Sequence, residues 1–232
     1  MQGLRNLADG LWVIDMPLSV GPIALGARTT IMRLGDGGLL LVSPVKMDDA
    51  LRNDVAALGP VRALAAPNLY HHLFIGQAAR AWPEAKVLLP PGLQEKLLKA
   101  GRELRQDAVL GEDQPDLLRG AVETVWIRGV PKLEEIAFFH KSSRTLVLTD
   151  AAFNIHSAPN FASRAFFGLY GAWKKFGPTI SARMMIKDRK AARAALDRIL
   201  AWDFDRVVVA HGDILESGGK QALRESFTWL KA

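Results

Sequence analysis

The chain has 232 residues, of which 49% are hydrophobic and 23% are charged, and its formal net charge is +6 at pH 7. A chain of this length and composition can bury one continuous core, so we expect a single domain over residues 1–232. It contains no cysteine, which excludes disulfides, thiolate metal ligands and a cysteine nucleophile. The positive charge comes from scattered Lys and Arg residues, and it gives no specific nucleic-acid signal.

The amino-terminal segment lacks the basic start and the apolar run of a signal peptide. No stretch reaches about 18 uninterrupted apolar residues. These features predict a cytoplasmic protein without a membrane span. The most apolar stretch, residues 161–173, is interrupted by Arg164 and two glycines. We expect it to form a helix that packs into the core, with a hydrophobic lid or a homodimer surface as alternatives.

Alternating apolar runs and turn residues predict the elements of the first half in chain order. Asp36, Gly37 and Gly38 are typical of a hairpin turn between two of its strands. The strands are predicted at 11–16, 28–34, 38–42, 61–66 and 86–89, and the helices at 48–58, 76–82 and 93–103.

The second half repeats the same theme of strands followed by helices. The pattern predicts strands at 122–127, 135–139, 145–149 and 206–209, and helices at 188–202 and 220–230. Two strand-rich halves, each followed by helices, predict an α/β fold: a four-layer αββα sandwich of two mixed β-sheets flanked by helices. Periodicity alone leaves a doubly wound sheet as the alternative.

Three of the five histidines follow predicted strands directly: His71, His72 and His211. Asp150 also ends a predicted strand. Imidazole nitrogens and carboxylate oxygens are suitable ligands for zinc, iron or manganese. The four residues therefore predict a metal site at the ends of the strands, with a hydrogen-bonded polar cluster as the alternative.

The stretch APNLYHHLFIG, residues 66–76, resembles the H-x-H-x-D-H signature of the metallo-β-lactamase superfamily. Pro67, Leu69 and His71 occupy the places of the first His, the second His and the Asp, and His72 matches the final His. Asp150 falls on the superfamily's bridging Asp. The last His-Gly motif is similar to VVVAHGD, which carries His211, and Pro131 stands where the middle His would fall.

The motifs P-N-x-x-H-H-L-F and T-D-x-x-F-N are similar to those of a branch called domain of unknown function 4336. Membership of this branch implies no particular reaction. The resemblance implies a metallo-β-lactamase-like fold. It also implies that one metal position is lost, because its three ligands are replaced by Pro67, Leu69 and Pro131. A second position is implied at His71, His72, Asp150 and His211.

We therefore expect one divalent metal, zinc before iron or manganese, or none. With a metal, the site would suit hydrolysis of a small-molecule ester, thioester, lactone or phosphodiester. The alternatives are a catalytically inactive binding or scaffold protein and an iron-linked redox role. The sequence leaves open whether the protein is an enzyme.

Five further residues carry weaker expectations. Glu134 or Glu135 would supply a ligand or general base, against the alternative of an exposed charged turn. Asp213 would orient His211 or cap the next turn. His140 is expected to be solvated in a turn, and His156 is a candidate for lining the pocket. We assign no role to these two histidines.

Overall fold

The computed structural model describes residues 3–111 and 113–231 of the chain. Strands and helices alternate along most of this length. The strands are β1 (Leu4–Ala8), β2 (Leu11–Met16), β3 (Ser19–Val20), β4 (Ile23–Ala24), β5 (Ala27–Arg33), β6 (Leu39–Val42), β7 (Val61–Ala65), β8 (Lys86–Leu89), β9 (Ala108–Val109), β10 (Val122–Trp126), β11 (Ile136–His140), β12 (Thr145–Val147), β13 (Phe153–Asn154), β14 (Phe176–Gly177) and β15 (Arg206–Val208). The helices are α1 (Asp49–Leu58), α2 (Ile75–Ala81), α3 (Leu93–Lys99), α4 (Phe161–Leu169), α5 (Ile180–Met185), α6 (Arg189–Ala201) and α7 (Gly219–Ser226), with a short 3-10 helix at Asp116–Leu118.

Two mixed sheets carry the architecture. The first has the strand order β1-β2-β5-β6-β7-β8-β9 and the second has the order β10-β11-β12-β15. In the first sheet, β1, β2, β5 and β6 pair antiparallel, whereas β6 to β9 pair parallel. In the second, the pairing of β12 with β15 is parallel and the other two are antiparallel.

Side chains along the central strands alternate between the two faces of each sheet, and they form three hydrophobic cores. On β6, Leu39 and Leu41 face a core shared with α1, α2 and α3, while Leu40 and Val42 face the second sheet. On β11, Phe138 faces the first sheet and Phe139 faces α6. Because successive side chains of a strand point to opposite faces, each sheet is covered on both sides. The predicted αββα sandwich is confirmed, and the doubly wound alternative is wrong.

Local signals explain the elements that the sequence located well. Asp48 caps α1 because its Oδ1 accepts a hydrogen bond from the Leu51 amide at 2.9 Å. Gly37 adopts φ +82° in the turn between β5 and β6, as the predicted hairpin requires. Helix α3 ends at Lys99, earlier than predicted, and Gly101 follows it with φ +66°. A left-handed glycine just after a helix is a common stop signal.

The apolar stretch from residue 161 packs only in part. Phe167 of α4 is buried against Ile155 and Ala172. Phe161 and Leu169 at the two ends of the same helix are 78% and 76% exposed. The prediction of core packing therefore holds for the face that carries Phe167. None of the described helices combines the length and the apolar character needed to cross a membrane.

Candidate metal centre

The candidate site lies where parallel strands of both sheets end. His71 follows β7 of the first sheet, and Asp150 and His211 follow the adjacent parallel strands β12 and β15 of the second. Because parallel strands end at the same edge of a sheet, side chains far apart in sequence meet there. Among the described residues, His71, Asp150 and His211 form a group whose ligand atoms all lie within 4.8 Å of one another.

This three-residue cluster is tightly packed. The Nε2 atoms of His71 and His211 are 3.2 Å apart. His71 Nε2 lies 3.4 Å from Asp150 Oδ2, and His211 Nε2 lies 3.3 Å from Asp150 Oδ1. A tetrahedral site with bonds of about 2.0–2.1 Å separates its ligand atoms by about 3.3–3.4 Å. The spacing and the donor types of the cluster therefore fit a divalent metal.

The tautomer of His211 supports the same fit. Its Nδ1 atom lies 3.0 Å from the Gly26 carbonyl oxygen, which can only accept a hydrogen bond. Nδ1 must therefore carry the proton, so the neutral ring keeps its lone pair on Nε2, the atom that faces the cluster. The ring is also stacked on Phe153, with centroids 5.1 Å apart. His211 is thus held in a ligand-competent orientation by a carbonyl and an aromatic ring.

His71 is held from the other side by Ser43, which follows β6. Ser43 Oγ lies 2.8 Å from His71 Nδ1. Ser43 itself adopts φ +54°, a left-handed backbone conformation that is unfavourable for a side chain with a Cβ. Such strain is retained where the surrounding structure imposes it. Two backbone contacts do so here: the Ser43 amide donates to Ala65, and Thr29 Oγ1 donates to the Ser43 carbonyl.

A buried carboxylate and a buried amide support the cluster from beneath. Glu135 is fully buried and accepts hydrogen bonds from the backbone amides of residues 149, 150 and 151 at 2.8–3.0 Å. Asn68 Nδ2 donates to Asp150 Oδ2 at 2.9 Å and to Glu135 Oε2 at 3.1 Å. Asn68 Oδ1 accepts from the backbone amide of His71 at 2.9 Å. Asn68 therefore fixes both His71 and Asp150.

Burial and neighbouring charges set the pKa values of the site. Burial opposes the charge on His71, but Asp150 and then Glu135 outweigh it and raise the pKa of His71. Burial likewise opposes the charge on Asp150, but His71 and His211 outweigh it and hold the pKa of Asp150 well below its usual range. Burial, and then the charge of Asp150, raise the pKa of Glu135. The site thus favours the ionised form of Asp150.

His72, the fourth predicted ligand, is not brought to the cluster. It is buried and lines a different cavity, together with Arg80, Leu97 and Arg102. Burial, followed by the charges of Lys96 and Arg102, lowers the pKa of His72, which favours the neutral ring. The structure therefore brings together three of the four predicted residues, with His71 rather than His72 contributed by the adjacent pair.

The structure corrects several weaker expectations. The expectation of an exposed charged turn is wrong for Glu135, which is buried. Glu135 holds the loop at Asp150 and does not reach the cluster as a ligand. Glu134 accepts a hydrogen bond from Trp126 Nε1 at 2.6 Å. The expected solvation of His140 is wrong, because this side chain is buried and Nε2 lies 3.2 Å from the Arg33 carbonyl oxygen. His156 is exposed and does not line the cavity beside the cluster.

The loop that carries His211 is fixed by backbone contacts rather than by the Asp213 carboxylate. Gly26, not Asp213, is the partner of His211 Nδ1, so the predicted orienting role of Asp213 is wrong. Gly212 has φ +93°, and a Cβ there would lie 2.2 Å from the Asn154 carbonyl oxygen, so only glycine fits. The buried Arg28 donates to the carbonyl oxygens of Val209 and Gly212 at 2.5 and 2.9 Å.

Sequence reasoning missed Asn68, Ser43 and Arg28 as supports of the site. Asn68 follows Pro67 within the motif, and Ser43 follows the apolar strand β6, but neither position has a pattern that reveals burial or a distant partner. Arg28 is 181 residues from Val209, whose carbonyl it binds. No local signal in the sequence identifies such a pair.

Comparison with solved structures gives the class of fold. The chain is similar to a metallo-β-lactamase from Pontibacter korlensis, at 11% identity and a TM-score of 0.65, with 96% of each chain covered. It is also similar to a metallo-β-lactamase from Hirschia baltica, at 14% identity and a TM-score of 0.65, over 99% of this chain and 97% of the other. A metal-soaked flavodiiron core of Flv1 from Synechocystis sp. PCC6803 matches at 13% identity and a TM-score of 0.67, over 99% and 60%. The fold is that of the metallo-β-lactamases.

The particular family follows from the sequence itself. Residues 8–170 match the family model described as Domain of unknown function (DUF4336). The chain belongs to this family, and the resemblance inferred from its motifs is confirmed at the level of family and fold. No curated protein matches the chain.

Proposed function

We propose that this protein is a metal-dependent hydrolase with one divalent cation held by His71, Asp150 and His211. The observation that carries the proposal is the 3.2–3.4 Å spacing of the three side chains, together with the lone pair of His211 Nε2 directed at the cluster. Three protein ligands with an open position are typical of catalytic rather than structural zinc sites. Zinc is the first candidate, with iron or manganese as alternatives.

The surroundings of the cluster favour catalysis over a purely structural role. A cavity of about 450 Å³ opens directly on His71, Asp150 and His211. A bound cation would supply Lewis acidity at the mouth of this cavity. Asp150 provides one negative charge for it, Asn68 keeps that carboxylate in place, and Ser43 and Gly26 fix the two imidazoles. Fixed ligands of this kind keep the site arranged for a substrate before it binds.

Metal content and ester hydrolysis test the proposal together. The full chain is incubated with zinc, iron(II) or manganese(II), desalted and subjected to elemental analysis. We expect about one metal ion per chain in the wild type and a large loss in His211→Ala, because three protein ligands hold the ion. Hydrolysis is then measured with and without metal on four probes: 4-nitrophenyl acetate, a thioacetate ester, a lactone and bis(4-nitrophenyl) phosphate. We expect at least one of these four classes to be hydrolysed, and only with metal.

His156→Ala is the matched control, because it removes an exposed imidazole from outside the cluster. It should keep both the bound metal and the turnover of the wild type. Absence of stoichiometric metal in the wild type would overturn the metal site. Stoichiometric metal with none of the four probe classes hydrolysed would favour a binding or scaffold role instead.

A further inference from the structure

The cavity beside the cluster has an apolar wall and a polar end. Ser43, His71, Asp150 and His211 form the polar end, and the polar residues Tyr70, Thr179 and Ser181 also line the cavity. The wall includes side chains from several separate elements of the fold, namely Leu18, Val20, Leu25, Val45, Leu73 and Met185. Its volume of about 450 Å³ is within the range of small-molecule sites, about 300–1,000 Å³. A ligand with one polar reacting group and one apolar body matches this arrangement.

The charged side chains that line the cavity restrict the chemical class of the ligand further. Asp150 is the one ionised carboxylate that lines the cavity, and none of the described lining residues is a lysine or an arginine. Sites that bind phosphate or carboxylate groups usually present arginine or lysine side chains. Away from the cation proposed at the cluster, an anionic group buried against this wall would meet no lysine or arginine to offset its desolvation. The lining therefore disfavours phosphodiesters and favours an uncharged substrate.

The rim of the cavity extends the apolar surface into solvent. Val20, on the β3–β4 hairpin, is 63% exposed, and Leu73, after His72, is 56% exposed. Both side chains also line the cavity. Exposed apolar side chains that continue the wall of a cavity indicate a ligand-binding surface more strongly than isolated ones. An acyl chain longer than the cavity would continue over these two residues.

We infer that the substrates of this site are uncharged carboxylic esters or lactones with an aliphatic acyl chain. The inference rests on the proposed hydrolase function and selects one class among those that its chemistry allows. Hydrolysis adds the hydroxyl of one water molecule to the acyl carbon, breaks the bond from that carbon to the ester oxygen, and passes the remaining proton to the departing alcohol. The acyl chain lies along the apolar wall, with its ester group at the polar end.

A series of 4-nitrophenyl esters from acetate to octanoate tests the inference on the metal-loaded protein. Each methylene buried in the cavity should raise kcat/KM by up to about fourfold until the wall is covered. Bis(4-nitrophenyl) phosphate should be hydrolysed far more slowly than the octanoate ester. A flat dependence on chain length, or a preference for the phosphodiester, would overturn the inference while leaving the hydrolase proposal in place.

Two matched pairs of variants at exposed side chains test where the acyl chain binds. Leu73→Asp should reduce the ratio of kcat/KM for octanoate over acetate, and Leu98→Asp, at a leucine of 53% exposure outside the cavity, should not. Val20→Asp is paired in the same way with Val109→Asp, at a valine of 49% exposure. Equal ratios within each pair would place the acyl chain elsewhere and overturn the inference.

Binding of 2-decanone, a neutral ketone that is not hydrolysed, separates the two proposals. Isothermal titration calorimetry should detect its binding to the wild type and weaker binding to Leu73→Asp than to Leu98→Asp. Binding with this pattern but without hydrolysis of any ester would overturn the hydrolase proposal and retain an apolar ligand site. Hydrolysis without such binding would retain the hydrolase and overturn the acyl-chain assignment.

Discussion

At the scale of single residues, the site depends on a buried pair that contributes no ligand atom to the cluster. Glu135 is 0% exposed, and its two oxygens accept from three consecutive backbone amides of the loop at Asp150. Asn68, also 0% exposed, connects this carboxylate to Asp150. A buried carboxyl group requires such partners, because burying its polar atoms without hydrogen bonds would cost desolvation energy. The position of Asp150 is therefore determined by Glu135 and Asn68.

Replacing the Glu135 carboxylate tests this dependence. In Glu135→Gln, one oxygen becomes an NH₂ group that faces backbone N–H donors and leaves at least one of them without an acceptor. We expect the free energy of unfolding to fall by about 1–3 kcal/mol, the usual cost of an unsatisfied buried group. Urea denaturation at neutral pH measures the change.

Glu134→Gln is the matched control for this prediction. Glu134 accepts from Trp126 Nε1, and a glutamine oxygen at the same position still accepts that hydrogen bond. Its effect should remain within about 0.5 kcal/mol. Equal losses in the two variants would show that the three backbone amides do not depend on the Glu135 carboxylate.

At the scale of elements, loops after parallel strands bring the site together, and a close backbone contact fixes a further loop of the second sheet, the one after β10. The Gly129 carbonyl oxygen accepts from the amides of Lys187 and Asp188 at 2.7 and 3.1 Å. Asp188 in turn caps α6. This contact ties the loop after β10 to the start of α6. Gly129 has φ +82°, and a Cβ there would lie 2.1 Å from the Asp188 carbonyl oxygen.

A pair of glycine substitutions separates the close contact from the backbone strain. Gly129→Ala and Gly120→Ala both place an alanine at a positive φ, but only Gly129 has backbone atoms within reach of the new Cβ. We expect Gly120→Ala to cost about 1–2 kcal/mol from strain alone. Gly129→Ala should cost about 1–3 kcal/mol more because of the clash.

Thermal or urea unfolding of the two variants gives the comparison. Equal losses would mean that α6 moves away at little cost. In that case the contact between Gly129 and Asp188 would not hold the loop in place.

At the scale of the whole molecule, the two sheets are joined by an apolar core and by polar contacts at its margins. His140 lies on β11 of the second sheet, and its Nε2 atom contacts the Arg33 carbonyl of β5 in the first. Burial lowers the pKa of His140, against smaller opposing effects from the Arg33 carbonyl and the Asp9 carboxylate. The folded protein therefore binds a proton at His140 less readily than the unfolded chain does.

This difference predicts how stability depends on pH. Below the ordinary pKa of 6.5, the unfolded chain takes up a proton that the folded His140 resists. The contribution of His140 to the free energy of unfolding is therefore fully present above pH 6.5 and declines as the pH falls from there to the lower folded pKa. Urea denaturation of the wild type and His140→Gln between pH 8 and pH 5 measures it. The wild type should lose more stability than the variant on acidification, whereas parallel curves would contradict the prediction.

Local patterns in the sequence determined most of the long elements and the class of fold. The helix from Asp49 and the strand Lys86–Leu89 were located because capping, periodicity and turn residues act over a few neighbours. The strands of two residues, β3, β4, β9, β13 and β14, and the short α5 were missed, because segments of this length have too few side chains to show a period. The five-residue strand β1 was also missed, and none of its side chains is fully buried. The convergence of His71, Asp150 and His211 also followed from the sequence, since each follows a strand within a motif, while their role as metal ligands stays a prediction.

Only the tertiary structure decided which of two adjacent histidines joins the cluster. In the sequence, His71 and His72 are equivalent imidazoles, and the motif favours His72. In the folded chain, Asn68 and Ser43 hold His71 against Asp150, while His72 turns to the side of Arg102. Asn68 lies three residues from His71, but the other partners are distant, 28 residues away for Ser43 and 140 residues away for His211. Side-chain direction at such a site depends on contacts made after the sheets pair, and the local sequence contains only one of them.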